Sequence, residues 1–111
     1  MAYNEHLGAR VRDVLAPNPA LGERKMFGGL CFTLNGNMVC GIVGDTLMLR
    51  LTEELAEQAL QRPHVRPMDF TGRPMRSMVY VDPPGLRGRA LRRWVEQAAG
   101  HARTLPPKPG R

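Results

Sequence analysis

The dipeptide Asn35-Gly36 limits the fold of this chain more than any other feature of its sequence. Both residue types accept the positive φ angles that a two-residue hairpin turn requires. Apolar runs at residues 26–34 and 37–43 flank the turn, and Gly44-Asp45 starts a second tight turn that leads into residues 46–51. Because strands joined by tight turns run antiparallel, the sequence predicts a three-stranded meander.

Helix signals lie on both sides of this meander. Asn4 can cap a helix over residues 4–16, which Pro17 ends, and Thr52 can cap a second helix that ends at Arg62. Short strands are predicted at 68–70 and 78–81, and a last helix begins after residues 82–85. The predicted order is α-β-β-β-α-β-β-α, a two-layer α+β fold with helices on one face of an antiparallel sheet.

Length and composition limit the classes of function. A chain of 111 residues forms one domain, which we place at residues 1–104, with a flexible proline-rich tail at 105–111. This excludes enzymes built from separate cofactor and substrate domains. An aromatic content of 5% argues against a stacking platform for single-stranded nucleic acid.

The chain carries the signature of neither a secreted protein nor a membrane protein. Its first residues lack the layout of a secretory signal, and no apolar run approaches the roughly 18 residues of a membrane span. Two cysteines are too few for a disulfide scaffold. We therefore expect a cytoplasmic location, with no membrane association and no cofactor.

The positive charge is concentrated in the second half. Residues 1–55 have a net charge of −1, residues 56–111 have +7, and the whole chain has +6. In the last helix Arg89, Arg92 and Arg93 fall on the solvent side, where they can bind nucleic acid or an acidic protein. A solvated, arginine-rich helix without a ligand is the plain alternative.

The two cysteines form a candidate redox pair. Counted from the Asn35-Gly36 turn, Cys31 lies directly opposite Cys40 in a non-hydrogen-bonded pair, where Cα atoms approach to roughly 4.5 Å. This separation is at the short limit of disulfide geometry. The alternative is that both are buried free thiols that pack as small apolar groups.

Other candidate sites carry weaker signals. Gly28-Gly29 precedes a strand rather than a helix, which favours a bulge or a close backbone approach over phosphate binding. Arg73 and Arg76 can bind an anion, although a solvated turn also explains them. The three histidines are scattered, and no spacing indicates a metal site or a catalytic group, so we expect no enzymatic activity.

Both faces of the first hairpin are apolar. We expect Leu30, Phe32, Leu34 and Val39 on one face, and Cys31, Met38, Cys40 and Ile42 on the other. Helices on one side of the sheet would leave the second set exposed, which soluble monomers avoid. A homodimer or a protein partner would cover it.

Several stretches, in order and spacing, resemble the N-terminal domain of the TfoX/Sxy family. They are Lys25–Gly29 followed by Phe32, then Gly36–Met38, then residues 68–75, with Ala2–Glu5 and Trp94-Val95 also fitting. The resemblance covers about residues 2–106. It implies a fold similar to that of secretion chaperones.

The same resemblance implies a regulatory role. Full-length relatives are bacterial regulators of natural competence that act with a cyclic-AMP receptor protein at promoters, and they carry a further helical domain. The resemblance covers the N-terminal domain alone, so we expect of this sequence no activity that depends on the further domain. We expect a regulatory or interaction module, and alternatively an accessory protein that binds nucleic acid through its basic last helix.

Overall fold

The computed structural model describes residues 3–26, 28–68 and 75–107. In chain order the elements are α1 (Glu5–Leu15), β1 (Leu21–Met26), β2 (Gly29–Leu34), β3 (Asn37–Val43), β4 (Thr46–Arg50), α2 (Glu53–Ala59), β5 (Val65–Met68), β6 (Met75–Val81), a 3-10 helix (Pro83–Leu86) and α3 (Arg89–Arg103). The strands form one antiparallel sheet in the order β1-β2-β3-β4-β6-β5. The predicted α+β class is confirmed.

The turn and cap signals that fix the first half of the fold are confirmed. Asn35 and Gly36 both have positive φ, 53° and 80°, as a two-residue hairpin between β2 and β3 requires. The Asn4 side chain accepts a hydrogen bond from the Leu7 N–H at 3.1 Å and so caps α1. Thr52 caps α2 in the same way, through the Leu55 N–H at 3.1 Å.

The sheet contains one more strand than predicted. Residues 26–34 are not one strand but the end of β1 and the whole of β2, which pair as a hairpin from Leu21↔Leu34 to Met26↔Gly29. Gly28, with φ of 74°, lies in the turn between them. At the other edge, β5 begins at Val65, three residues before the strand predicted at 68–70. Residues 69–70 of the predicted strand lie outside the described residues.

All three helices pack on one face of the sheet. The hydrophobic core joins Val11 of α1, Ala56 of α2 and Val95 of α3 to alternate residues of the central strands. Phe32 is the largest of the side chains that are completely buried. The helix face of the sheet is formed by Leu30, Phe32, Leu34, Val39, Cys40, Ile42, Leu47, Leu49, Val79 and Val81.

An irregularity in the β2–β3 ladder changes which side chains share a face. The pairing runs Leu34↔Asn37 and Thr33↔Met38, and then shifts so that Phe32 lies opposite Cys40. Val39 is the extra residue of this β-bulge, and two residues of β3 therefore oppose one residue of β2. As a result Cys40 and Ile42 lie on the helix face, and the prediction that placed them on the opposite face is wrong.

The end of the described chain contacts the sheet. The Asn37 side chain, which is 2% exposed, donates a hydrogen bond from Nδ2 to the Pro106 carbonyl at 2.9 Å. This contact lies just beyond the predicted domain boundary at residue 104, which stays a prediction, as does the flexibility of residues 105–111. None of the helices among the described residues is long and apolar enough to cross a membrane.

Candidate functional site

The face of the sheet opposite the helices is the candidate functional site. We call it the open face, because all three helices pack on the other side. Strand alternation and the observed register assign its members among the described residues. They are Gly22, Arg24, Gly29, Cys31, Thr33, Met38, Gly41, Val43, Thr46, Met48, Arg50, Arg66, Arg76, Met78 and Tyr80.

One row of residues crosses the open face from edge to edge. Each strand contributes one residue, and each residue pairs with the next in the register. In order from β1 to β5, this cross-sheet row is Arg24, Cys31, Gly41, Met48, Tyr80 and Arg66. Its centre is therefore apolar or weakly polar, and both of its ends are guanidinium groups.

Gly41 lies at the centre of the row, beneath the side chains of its neighbours. A Cβ atom at this position would lie 2.7 Å from the Met48 Cε and 3.7 Å from the Met38 Cε. The methyl groups of both methionines therefore lie over the glycine. Both side chains remain half-buried rather than enclosed, and they give the open face an adaptable thioether surface.

The two cysteines lie on opposite faces of the sheet. Cys31 pairs with Gly41 on the open face, whereas Cys40 pairs with Phe32 on the helix face. The predicted direct pairing of Cys31 with Cys40 is therefore wrong, and the bulge at Val39 is the reason. Both cysteines are free thiols.

Burial lowers the reactivity of both thiols. It raises the pKa of the Cys31 thiol, an effect that the nearby Arg24 charge partly offsets. The pKa of the completely buried Cys40 thiol is raised far above its ordinary value, mainly by desolvation and also by the neighbouring Cys31. Since the thiolate is the reactive form, neither environment favours redox chemistry at neutral pH.

Arg66 is anchored at the β5 end of the row. Its Nε and Nη2 donate to the two Asp82 carboxylate oxygens at 2.8 and 2.9 Å. Its guanidinium also lies 5.0 Å from the centroid of the Tyr80 ring. The hydrogen bonds lower the pKa of the Asp82 carboxyl and raise that of Arg66. About half of the Arg66 side chain stays exposed, so this fixed cation faces solvent.

The arginines predicted from the sequence do not form one site. Arg89, Arg92 and Arg93 are exposed on α3, on the helix side of the molecule, and Arg92 pairs with Glu96 at 3.3 Å. Arg76 is exposed on β6, on the open face. Arg73 lies outside the described residues.

A shallow cavity lies between α3 and the end of α2. It measures about 160 Å³ and is lined by Arg62, Ala90, Arg93, Trp94 and Gln97. The Arg62 guanidinium lies 5.8 Å from the Trp94 ring centroid, within the range of a cation–π contact. The cavity adds one cation and a partly buried ring to the basic surface of α3.

Sequence reasoning missed most of the open face. Met48 and Tyr80 alternate with buried neighbours on β4 and β6, and this period-2 signal could have found them. Arg24 belongs to β1, which was not predicted, and Arg66 lies before the strand predicted at 68–70. Within the described residues, no three His, Cys, Asp or Glu side chains cluster as metal ligands would.

The comparison with protein families agrees with the fold. The family described as TfoX N-terminal domain matches residues 13–102 of the 111-residue chain. The chain belongs to the TfoX N-terminal domain family. The match spans every strand of the sheet and most of α3, so the open face is part of the TfoX N-terminal domain itself. Neither the curated proteins nor the solved structures returned a match.

Proposed function

We propose that this chain is a non-catalytic protein-binding module of a regulatory system, and that it binds its partner through the open face of the sheet. The observation that carries the proposal is the apolar centre of that face, formed by Cys31, Met38, Met48 and Tyr80, on which no helix of the described residues packs. Its resemblance to competence regulators supports a regulatory role.

The chemistry of this surface suits a protein partner. Cys31 is 5% exposed and Met78 8%, whereas Met38, Met48 and Tyr80 are half-buried. Thioether side chains repack against differently shaped apolar partners, which is why methionine is frequent at adaptable binding surfaces. Tyrosine adds contact area with a polar end and is enriched at interfaces.

Capture of bound proteins from the host cell tests the proposal. The bait is the wild-type chain, a Met38→Glu/Met48→Glu variant of the open face, or an Arg89→Ala/Arg92→Ala/Arg93→Ala variant of α3. We expect a partner that the wild type and the α3 variant retain and the open-face variant loses. A partner that only the α3 variant loses would contradict the proposal. Circular dichroism confirms that each variant is folded.

The basic surface of α3 supports a second candidate function, nucleic-acid binding. Exposed Arg89 and Arg93 lie on α3, and Arg62 joins them beside Trp94. Phosphate contacts from such a cluster would make binding strongly dependent on salt. Titration with duplex DNA at low and at physiological salt tests this role. We expect the wild type to bind duplex DNA at low salt and the triple alanine variant not to bind it. Absence of wild-type binding at low salt would contradict this second function.

A further inference from the structure

The charge pattern of the open face indicates what kind of partner it fits. The six strands contain one acidic residue, Glu23, which lies on the helix face, where it pairs with Arg12. The open face carries four arginines: Arg24, Arg50, Arg66 and Arg76. Asp82, directly after β6, pairs with Arg66. Among the described residues of the strands, arginines therefore outnumber carboxylates on this surface and surround an apolar centre.

We propose that the open face binds an acidic amphipathic helix of a partner protein, with Arg24 and Arg66 contacting carboxylates on the two sides of that helix. This inference rests on the proposed function and names the chemistry of the partner.

The dimensions of the cross-sheet row fit a helix. Neighbouring strands are about 4.8 Å apart, so the apolar centre from Cys31 to Tyr80 spans roughly 14 Å and the two terminal arginines are roughly 24 Å apart at the backbone. A helix with its side chains has a diameter of about 10–12 Å. A helix laid along the strands covers the methionines over Gly41, and glutamates on its flanks reach outward toward the arginines.

The guanidinium at the β5 end is prepared for such a contact. Contacts with Asp82 and Tyr80 hold Arg66 in place, so little side-chain freedom is lost when a ligand binds. A guanidinium has five N–H donors, and the Asp82 pair uses only two of the nitrogens. An incoming carboxylate can therefore accept from the third nitrogen of a guanidinium that Asp82 and Tyr80 already hold in place.

Charge disfavours two other ligands of the open face, a second copy of this chain and a nucleic-acid strand. A second copy laid face to face would bring the open-face arginines of one chain against those of the other, and like charges across an interface are costly. A nucleic-acid strand would place its phosphates over the methionines that separate Arg24 from Arg66. With Tyr80 as its one aromatic side chain among the described residues, the face also provides little stacking for bases.

Binding of designed peptides tests the inference. The probe is an 18-residue synthetic peptide with a leucine stripe at helical spacing and glutamates on both flanks. Two controls accompany it: a scrambled peptide of the same composition, and an analogue with lysine in place of glutamate. Fluorescence anisotropy gives the affinities, and methyl NMR of 13C-labelled methionine reports the binding site. We expect the glutamate peptide to bind at least tenfold more tightly than either control and to shift the Met38 and Met48 methyl signals.

Charge-reversal variants provide the matched comparison. Arg24→Glu/Arg66→Glu should weaken binding of the glutamate peptide by tenfold or more, because two attractive contacts become repulsive. Arg89→Glu/Arg92→Glu makes the same charge change on α3 and should alter the affinity less than twofold. If the first variant does not fold, Arg24→Gln/Arg66→Gln replaces it, with a smaller loss expected in the same direction.

Several results would overturn the inference. The first two are that both charge-reversal variants weaken binding of the glutamate peptide equally, and that the scrambled peptide binds as tightly as the glutamate peptide. The third is that the methionine signals do not move. The last two are self-association that Arg24→Glu/Arg66→Glu disrupts, and tighter binding of a single-stranded oligonucleotide at the same face. If the host partner depends on Met38 and Met48 while the glutamate peptide fails to bind, the protein-binding function stands and the acidic helix is wrong.

Discussion

At the scale of single residues, glycines fix the strand geometry beneath the open face. Gly29, at the start of β2, lies so close to the Ile42 carbonyl of β3 that a Cβ atom would overlap it. This confirms the close backbone approach predicted for Gly28-Gly29. At Gly41, in the centre of the cross-sheet row, a Cβ atom would lie 2.7 Å from the flexible Met48 side chain and 3.2 Å from the Leu30 carbonyl oxygen.

A pair of glycine substitutions tests the geometry at Gly29. Gly29→Ala should lower the free energy of unfolding by about 2 kcal/mol, because the obstructing atom is backbone and strand β3 must shift. Gly100→Ala lies within α3, with no atom within 4 Å of the new Cβ, and should raise stability by up to about 1 kcal/mol. Chemical denaturation measures both. Equal effects of the two substitutions would contradict the register at Gly29.

The placement of the cysteines predicts their chemistry. Because Cys31 and Cys40 lie on opposite faces, a disulfide would require β2 and β3 to change register. After mild oxidation, thiol titration under denaturing conditions should therefore find two free thiols. A Cys31→Ser variant, with one thiol, calibrates the assay. Loss of both thiols in the wild type, without dimer formation, would show that the disulfide forms.

At the scale of elements, the sequence predicted the turns and helix caps that neighbouring residues determine, and it missed the features that strand pairing determines. The hairpin at Asn35-Gly36 and the caps at Asn4 and Thr52 depend on neighbouring residues, and all three are confirmed. β1 has little apolar alternation and becomes a strand because it pairs with β2. The bulge at Val39 has no sequence signal, and it alone moves Cys40 to the other face.

Strand β1 is held to α1 by an ion pair that depends on pH. Arg12 donates to both Glu23 carboxylate oxygens, at 2.5 and 2.8 Å, and these hydrogen bonds lower the pKa of Glu23. The stabilisation is therefore complete above the pKa of the unfolded chain, about 4.3, and is lost as pH falls through the lower pKa of the folded state. Both side chains are more than 30% exposed, so we expect only about 0.2–1 kcal/mol.

Denaturation of a Glu23→Gln variant checks this contribution. The variant should be less stable than the wild type at pH 7, and the difference should shrink toward pH 3 as Glu23 of the folded protein becomes protonated. Glu96→Gln is the matched control, because its pair with Arg92 is 58% exposed on both sides and should contribute almost nothing at either pH. A difference for Glu23→Gln that is as large at pH 3 as at pH 7 would refute the ion-pair explanation.

At the scale of the whole molecule, the described residues form two basic surfaces, the open face of the sheet and the exposed side of α3. Of the basic residues in 56–111, Arg89, Arg92, Arg93 and Arg103 lie on α3, on the helix side, whereas Arg66 and Arg76 lie on β5 and β6 of the sheet. Arg24 and Arg50, from the first half, add to the sheet side. The basic character read from the sequence is therefore not a property of the last helix alone.

This distribution predicts the oligomeric state. A homodimer through the open face would oppose the four arginines of one chain with those of the other, so the isolated protein should be a monomer at physiological salt. Sedimentation velocity at high micromolar concentration measures this state. Arg89→Ala/Arg92→Ala/Arg93→Ala serves as a control, because it removes charge without touching the open face. A stable dimer that Met48→Glu dissociates would contradict the charge argument.

Photo-crosslinking in the host cell is the most direct test of the open face as the binding surface. A photoreactive amino acid replaces Met48 at the centre of the cross-sheet row, or Arg92 on the exposed side of α3 as the control. We expect a discrete protein adduct from position 48 and none from position 92. Adducts from position 92 alone, or none from position 48, would contradict this expectation.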